Sequence, residues 1–451
     1  MRRHLIAGKF GVKDNEAIPK AADEVITRFD LIDGHLDLDH GIGDAITNLE
    51  RLGLYPTEIG VDLTVLAAHI HAADTRIARG SESQDGWTRE IRLVVPVSDP
   101  ATWNKAAPLL ANILGFLTGD IWSVGFRSRL PGFKNTIGTR PAKALASIPY
   151  DGVSLFSGGL DSLIGGIDAL QAGRSPLFVS HVGEGAVSTS QDDCFDGLEK
   201  HFKPKSKFDR LRVWMQFREG FVKDVPSDFT TRGRSFLFFA LGAFAGTALN
   251  KKFELDVPEN GLIAINVPLD PMRMGALSTR TTHPHYIERW NDLLKVLGIP
   301  GHIRNPYWNK TKGEMARNCA NPKLLAKLAD KSMSCASPTK GRWEGLPPGH
   351  CGYCLPCLIR RAALAPSDPT TYGIPDLKKA PLKTSESEGK QVRSFQFAIA
   401  RLKKTPDLAK LLIYKPGPLN QQPHDVSDLA DVYRRGLEEV GKILVGVKTE
   451  S

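Results

Sequence analysis

Val153-Ser154-Leu155-Phe156-Ser157-Gly158-Gly159-Leu160-Asp161-Ser162 is the stretch that decides how this chain is read. The first four residues form a short apolar run suited to a buried strand, and Leu160 to Ala172 carries the periodicity of an apolar-faced helix. Between them, Gly158 and Gly159 allow a tight turn and close approach to a ligand. Backbone amides in such a turn form an anion-binding nest, and the following helix adds its positive N-terminal end. Ser157 and Ser162 can donate hydroxyl bonds to phosphate oxygens. Asp161 is unsuited to an anion and is expected to hold a Mg2+ that bridges phosphates. Neither G-x-x-x-x-G-K-[ST] nor G-x-G-x-x-G is present. The bland alternative is a glycine turn capped by Ser and Asp, both common capping residues.

Outward from this loop, strands and helices alternate. Leu177–Ser180, Leu211–Met215 and Leu262–Asn266 read as strands. Gln191–Phe202 and Arg234–Leu249 read as helices, the second apolar all round. That alternation predicts an α/β fold, a doubly wound parallel sheet covered on both faces. Residues 1–145 read as an α+β accessory domain. It has helices over Asp44–Leu52, Pro56–Ala78 and Trp103–Leu117, and strands over Glu90–Val97 and Asp120–Phe126. A basic, Pro-bearing stretch from Arg127 to Pro149 reads as a linker. The phosphate-loop domain spans 146–370. A C-terminal extension over 371–451 is expected to be helical, near Gln391–Lys404 and Ser427–Leu444.

The chain has 451 residues and a formal charge of +9. Its composition is that of a globular protein, and the basic balance favours anionic partners without specifying them. The start lacks a signal-peptide core, and the longest uncharged run, Ser235–Asn250, is too short to span a bilayer comfortably. A cytoplasmic protein without a membrane partner is expected.

Four of the six cysteines, Cys335, Cys351, Cys354 and Cys357, follow a C-x15-C-x2-C-x2-C pattern. Without an export signal, this clustering points to metal rather than disulfides. Four thiolates close a tetrahedral Zn2+ site with no open position, hence a structural one. An iron–sulfur cluster or free thiols remain alternatives, and His350 is a possible substitute ligand. Cys194 and Cys319 read as small buried hydrophobes.

The loop resembles the SGGxDS signature of the PP-loop, or N-type ATP pyrophosphatase, superfamily (adenine nucleotide α-hydrolase-like). A PP-loop followed by C-x2-C-x2-C resembles the 7-cyano-7-deazaguanine synthase (QueC) family. Arg232-Gly233-Arg234-Ser235-Phe236-Leu237-Phe238 is similar to that family's P-G-R-N-x-L-F segment. Pro306–Glu314, with Lys312-Gly313-Glu314, is similar to its P-x(n)-K-x-E element, and Arg360 follows the last cysteine as an Arg does there. The resemblance covers roughly Asp151–Pro369 and implies ATP-dependent adenylation of a deazaguanine carboxylate. It implies that Ser157, Gly158, Gly159, Leu160, Asp161 and Ser162 bind ATP phosphates and Mg2+. Arg234 and Lys312 would neutralise developing charge, although Lys312 reads equally as a surface cation. Three features depart from the pattern: Leu160 stands where Gln is common, Arg232-Gly233 replaces Pro-Gly, and both ends carry extra domains. The extra domains resemble those of QueC-like proteins in bacterial anti-phage operons. That implies an acceptor amine on ammonia or on a protein partner from the same operon.

Other candidates carry two readings each. His181 lines an adenine pocket or caps its strand. Arg280 and His283, within Ser278–His285, hold the substrate or belong to a polar turn. His35, Asp37, Asp39 and His40 could form a metal cluster, but alternation with Leu36 and Leu38 favours a strand with one solvated face. Competing functions are tRNA thiolation through Cys194 or Cys319, and a nucleotide-sensing subunit without chemistry. Direct nucleic-acid binding lacks a basic stripe interleaved with aromatics.

Overall fold

The computed structural model describes residues 2–32, 38–83, 85–133, 136–137, 149–183, 185–203, 205–228, 232–269, 280–340, 345, 347–419 and 426–450. The first part comprises β1 (Arg3–Lys9), β2 (Glu24–Asp30), α1 (Ile42–Arg51), α2 (Glu58–Arg76), α3 (Arg79–Glu82), β3 (Glu90–Val97), α4 (Pro100–Thr118) and β4 (Ile121–Ser128). Its sheet has the order β2-β1-β3-β4, and every pairing is parallel. The expected α+β accessory domain is therefore α/β. The sequence reading lacks β1 and β2, and without them the crossovers cannot be inferred.

The second sheet is built from β5 (Gly152–Leu155), α5 (Leu160–Gln171), β6 (Pro176–Val182), α6 (Gly185–Phe202), β7 (Asp209–Trp214), α7 (Arg234–Thr247), β8 (Phe253–Asp256), α8 (Gly261–Ile265), α9 (Pro284–Val296) and β9 (Gly301–Arg304). Its order is β7-β6-β5-β8-β9, parallel throughout. Chain order thus runs outward from β5 on one side and reverses at β8 on the other. That is the doubly wound arrangement, with a crevice at the carboxyl ends of β5 and β8.

The strand expected over Leu262–Asn266 is instead the short helix α8. Asn260 caps it by accepting from the Ile263 amide (3.2 Å), and Asn266 ends it in the left-handed region (φ 51°). A five-residue apolar run has no period of its own, so the cap decides. The fourth strand is β8, four residues long. The strand expected across Ile32–His40 is also absent from its described part. Asp39 and His40 lie in a turn, with His40 at φ 57°, while His35 and Asp37 fall outside the described residues.

One apolar core runs through both sheets, from Ile6 and Phe29 to Leu255 and Ile303. Between the sheets lie α2 and α7, each buried nearly all round, as their continuous apolar sequences require. They approach closely at Gly60, where a Cβ would lie 2.5 Å from Thr247 Oγ1. Then follow α10 (Lys312–Arg317), α11 (Pro322–Leu328), α12 (Leu355–Leu364), β10 (Leu382–Lys383), α13 (Ser387–Lys404), α14 (Leu408–Leu412), α15 (Val426–Ile443) and β11 (Thr449–Glu450). A second core joins α12–α15 to Leu262 and Ile265 of α8. Among the described residues, no helix is long and apolar enough to cross a membrane.

Candidate active site

The phosphate-like loop leaves β5 at the reversal of strand order. Phe156 is held on both sides: its amide donates to Val179 O (2.8 Å) and its carbonyl accepts from Ser180 Oγ (2.6 Å). Gly158 adopts φ 77°, and a Cβ there would sit 2.8 Å from the Gln191 amide nitrogen, so both conformation and space demand glycine. Ser157 Oγ accepts from the Gly159 amide (3.3 Å) and donates to Ser162 Oγ (3.2 Å), which donates to Gly159 O (2.9 Å). Leu160 is buried in the core behind the loop. Among the described residues no side chain caps α5, which leaves its first-turn amides to another acceptor.

Asp161 is buried beside the loop. Its Oδ1 pairs with Lys312 Nζ (3.0 Å), and its Oδ2 accepts from Asn260 Nδ2 (2.8 Å) and the Asn260 amide (3.2 Å). Both partners of this ion pair are buried. Glu259 lies against Asp161 and accepts from Asn260 Nδ2 (3.2 Å). Burial pushes the Glu259 carboxyl well up, and the Asp161 charge pushes it further. Burial acts on Asp161 in the same sense, but Lys312 and three hydrogen bonds bring it below its ordinary value. Asp161 is thereby held toward its charged form and Glu259 toward its neutral form. Lys312 is thus no surface cation. These two carboxyls are the oxygen donors that could hold Mg2+ at this end of the sheet, a hard donor set for a hard ion.

Lys312 opens α10, whose start is held twice. Thr311 and Glu314 form a capping box, and Glu439 of α15 accepts from Thr311 Oγ1 (2.8 Å) and the Gly313 amide (3.2 Å). Arg435 of α15 pairs with Glu314. The C-terminal helix therefore sets the lysine against Asp161.

On the other side of the loop, Gln191 Nε2 donates to His181 O (3.0 Å) and reaches Ser157 O (3.5 Å). His181 faces His71 of α2, with ring centroids 5.5 Å apart, and Phe238, 5.7 Å away. Arg234 opens α7, its guanidinium 5.5 Å from the Phe238 ring, and lies near both imidazoles. The turn before it is fixed by the first domain. Asp74 accepts from the Gly233 amide (2.7 Å), and Arg232 stacks on Trp87 (4.1 Å) and donates to Thr118 O (3.0 Å). Asp74 in turn belongs to a buried ion network with Arg79, Arg89, Asp120 and Asp228.

Arg280 and His283 are placed elsewhere. Arg280 donates to Phe116 O (2.7 Å) at the end of α4, and His283 caps α9 by accepting from the His285 amide (3.2 Å). Their contacts are those of a packed turn.

The four clustered cysteine sulfurs all lie within 4.8 Å of one another. Cys335–Cys354 and Cys351–Cys357 are each 3.9 Å apart. A tetrahedron with Zn–S bonds of about 2.3 Å has edges of about 3.8 Å. The cluster could hold a structural metal such as zinc. His350 is not positioned as a substitute, because its Nε2 accepts from the Ser334 amide (3.1 Å). The cluster braces the loop: Met333, two residues before Cys335, donates its amide to Gly158 O (2.8 Å). Buried Arg360 holds that segment through Ser332 Oγ (2.9 Å), Ser334 Oγ (3.2 Å) and Ala329 O.

Cys194 and Cys319 are buried, and burial pushes both thiols up to about 12, which removes the thiolate a sulfur carrier needs. A cavity of about 700 Å3 between α6 and α11, lined by Lys200, Lys323, Lys327 and Asp193, includes none of the site residues.

His71, Asp74, Gln191, Glu259, Asn260 and Glu439 are not singled out by the sequence. The available signal lies in α2, where Asp62, His69, His71 and Asp74 interrupt an otherwise apolar helix. A buried polar residue on such a helix must have a partner. No family model matches this chain, and no curated protein matches it either.

Proposed function

We propose that this chain is a PP-loop ATP pyrophosphatase of QueC type. It adenylates a deazaguanine-type carboxylate, releases pyrophosphate and passes the acyl group to an amine of ammonia or a protein partner. The observation that carries this reading is the placement of an SGGxDS-like loop at the reversal of a parallel sheet, between two basic groups. Arg234 stands on the β6 side and Lys312 on the β8 side.

Phosphates seated at the uncapped start of α5 would meet the loop amides, Ser157 and Ser162. Mg2+, held by Asp161 with Glu259, would supply charge neutralisation for the leaving pyrophosphate. With Asp161 engaged by the ion, Lys312 would be free to pair with the phosphates. Arg234, following the Gly233 amide held by Asp74, would stabilise charge developing on the acyl-adenylate. The four-cysteine site holds structural zinc, keeping Met333 against Gly158. In this reading the protein works in anti-phage defence, with an operon partner as acceptor.

Thiolation of tRNA is disfavoured by the two buried, high-pKa thiols. The test is AMP and pyrophosphate release with ATP and a carboxy-deazaguanine, together with mass spectrometry of co-expressed operon products. A mass increment of deazaguanine size in wild type, absent from Asp161→Ala, supports the proposal. No AMP with any candidate acid and amine refutes it.

A further inference from the structure

Three donors from the α10 segment converge on Glu439 of α15. Its carboxylate accepts from Thr311 Oγ1 (2.8 Å), the Gly313 amide (3.2 Å) and Arg317 Nη2 (2.9 Å). Lys312 stands in sequence between the first two. The approach depends on glycine, since a Cβ at Gly313 would lie 2.4 Å from Glu439 Oε1 and 2.7 Å from its Oε2. Arg435, four residues before Glu439, pairs with Glu314 and donates to Asn309 O (3.0 Å). The backbone on either side of Lys312 is thus tied to α15.

The same helix also reaches the other holder of the ion pair. A Cβ at Gly261 would lie 2.9 Å from Val432 Cγ2, and one at Gly436 would lie 2.8 Å from Leu262 Cδ2, so α15 lies close against α8. Asn260 caps α8, and its amide and side chain both donate to Asp161. Val432, Gly436 and Glu439 follow the spacing of one helix face. That face grips both elements that hold Asp161 and Lys312 together. A lysine stem has many rotamers, so its ammonium is located only as well as its backbone and its partner are.

We propose that Glu439 is a positioning residue for the adenylation step: it fixes the backbone of Lys312, and through it the ammonium that neutralises the leaving pyrophosphate. Glu439 acts through Lys312 and takes no part of its own in the chemistry. The inference rests on the function proposed above and deepens it, because the C-terminal extension becomes a working part of the site rather than an added packing layer.

The test is a double-variant cycle on the full chain, read both in kcat for AMP release with ATP and 7-carboxy-7-deazaguanine and in Tm. Glu439→Ala is expected to lower kcat about 10-fold or more, with KM for ATP within about 3-fold of wild type, as misplacement of a charge-stabilising group does. In the Lys312→Met background the same substitution should lower kcat by less than about 2-fold, because no ammonium is left to position. Gly313→Ala reaches the contact from the other side. Its Cβ displaces the carboxylate, so it should reproduce the Glu439→Ala loss yet add nothing to it. In Tm, the drop caused by Lys312→Met should be smaller in the Glu439→Ala background, where the lysine is already loosened. A kcat loss equal with and without Lys312, or a rise in KM with kcat unchanged, overturns the positioning role and leaves the proposed function standing. A wild type that releases no AMP overturns the proposed function. The Tm cycle then decides the positioning role by itself, as it does if Lys312→Met has no measurable rate: a smaller drop supports it and an equal drop overturns it.

Discussion

Lys312→Met tests the ion pair on which the site is built. The substitution keeps the length and apolar stem of the side chain but leaves Asp161 buried without its cation. Removing one partner of a buried pair costs about 3–5 kcal/mol, because the remaining charge is uncompensated. Asp161 retains two bonds from Asn260, which places the expected loss toward the lower end. For a cooperative unit of this size, that corresponds to a fall in Tm of about 3–8 °C at pH 7. The sign with pH follows from linkage. In wild type the Asp161 carboxyl lies below its ordinary value, so its contribution is present at neutral pH and is lost as pH falls through the folded value. In Lys312→Met, burial is opposed only by the Asn260 and Glu259 hydrogen bonds, and that carboxyl rises. The variant's deficit should therefore shrink as the pH is lowered toward the ordinary carboxylate range, where Asp161 protonates in both folded and unfolded chains. Scanning calorimetry between neutral and mildly acidic pH measures this directly. Adding Asp161→Asn to Lys312→Met removes the stranded charge and should recover most of the lost Tm at pH 7. An unchanged Tm in Lys312→Met, or no recovery in the double variant, would refute the buried-pair account regardless of catalytic activity.

Three further expectations concern the same neighbourhood. Glu259→Gln mimics the protonated acid, so at pH 7 its Tm should equal or exceed that of wild type by thermal denaturation, since the raised carboxyl pKa costs stability above the ordinary range. A fall of several degrees would show that Glu259 is ionised. Cys354→Ser should lose one equivalent of bound metal by plasma mass spectrometry and lower Tm. It should also weaken nucleotide binding, because Met333 no longer holds Gly158 firmly. Gly158→Ala places a Cβ at φ 77° and 2.8 Å from the Gln191 amide, and should reduce AMP formation at least about 10-fold while circular dichroism stays unchanged.

Much of this arrangement is local and therefore legible in one dimension. The turn at Ser157–Ser162 announces itself because glycine conformation, helix start and hydroxyl placement are all set within six residues. The cysteine spacing is equally self-contained, since three thiols two residues apart converge from one turn. Apolar period identifies α2 and α7, and β3 is bounded correctly because turn residues flank it. The failures have one cause as well. Over Leu262–Ile265 the apolar run is too short to have a period, and a single residue outside it, Asn260, decides for helix by capping it. Strands β1 and β2 escape a sequence reading because β1 finds its partners in β2 and in β3, far along the chain. Their parallel pairing makes α/β of what reads as α+β.

The chain's own residue order determined a glycine turn between strand and helix, a four-thiol cluster and an alternation that forces a parallel sheet, because backbone sterics and hydrogen-bond period act between near neighbours. Only the tertiary structure decided where the charges went. It set Asp161 against Lys312 and Glu259, brought His71 and Asp74 of one domain to His181 and Arg234 of the other, and set Arg280 and His283 against α4. Burial creates these assignments: once water is excluded, each ionic or polar group must find its partner among residues that are close in space, wherever they stand in the chain.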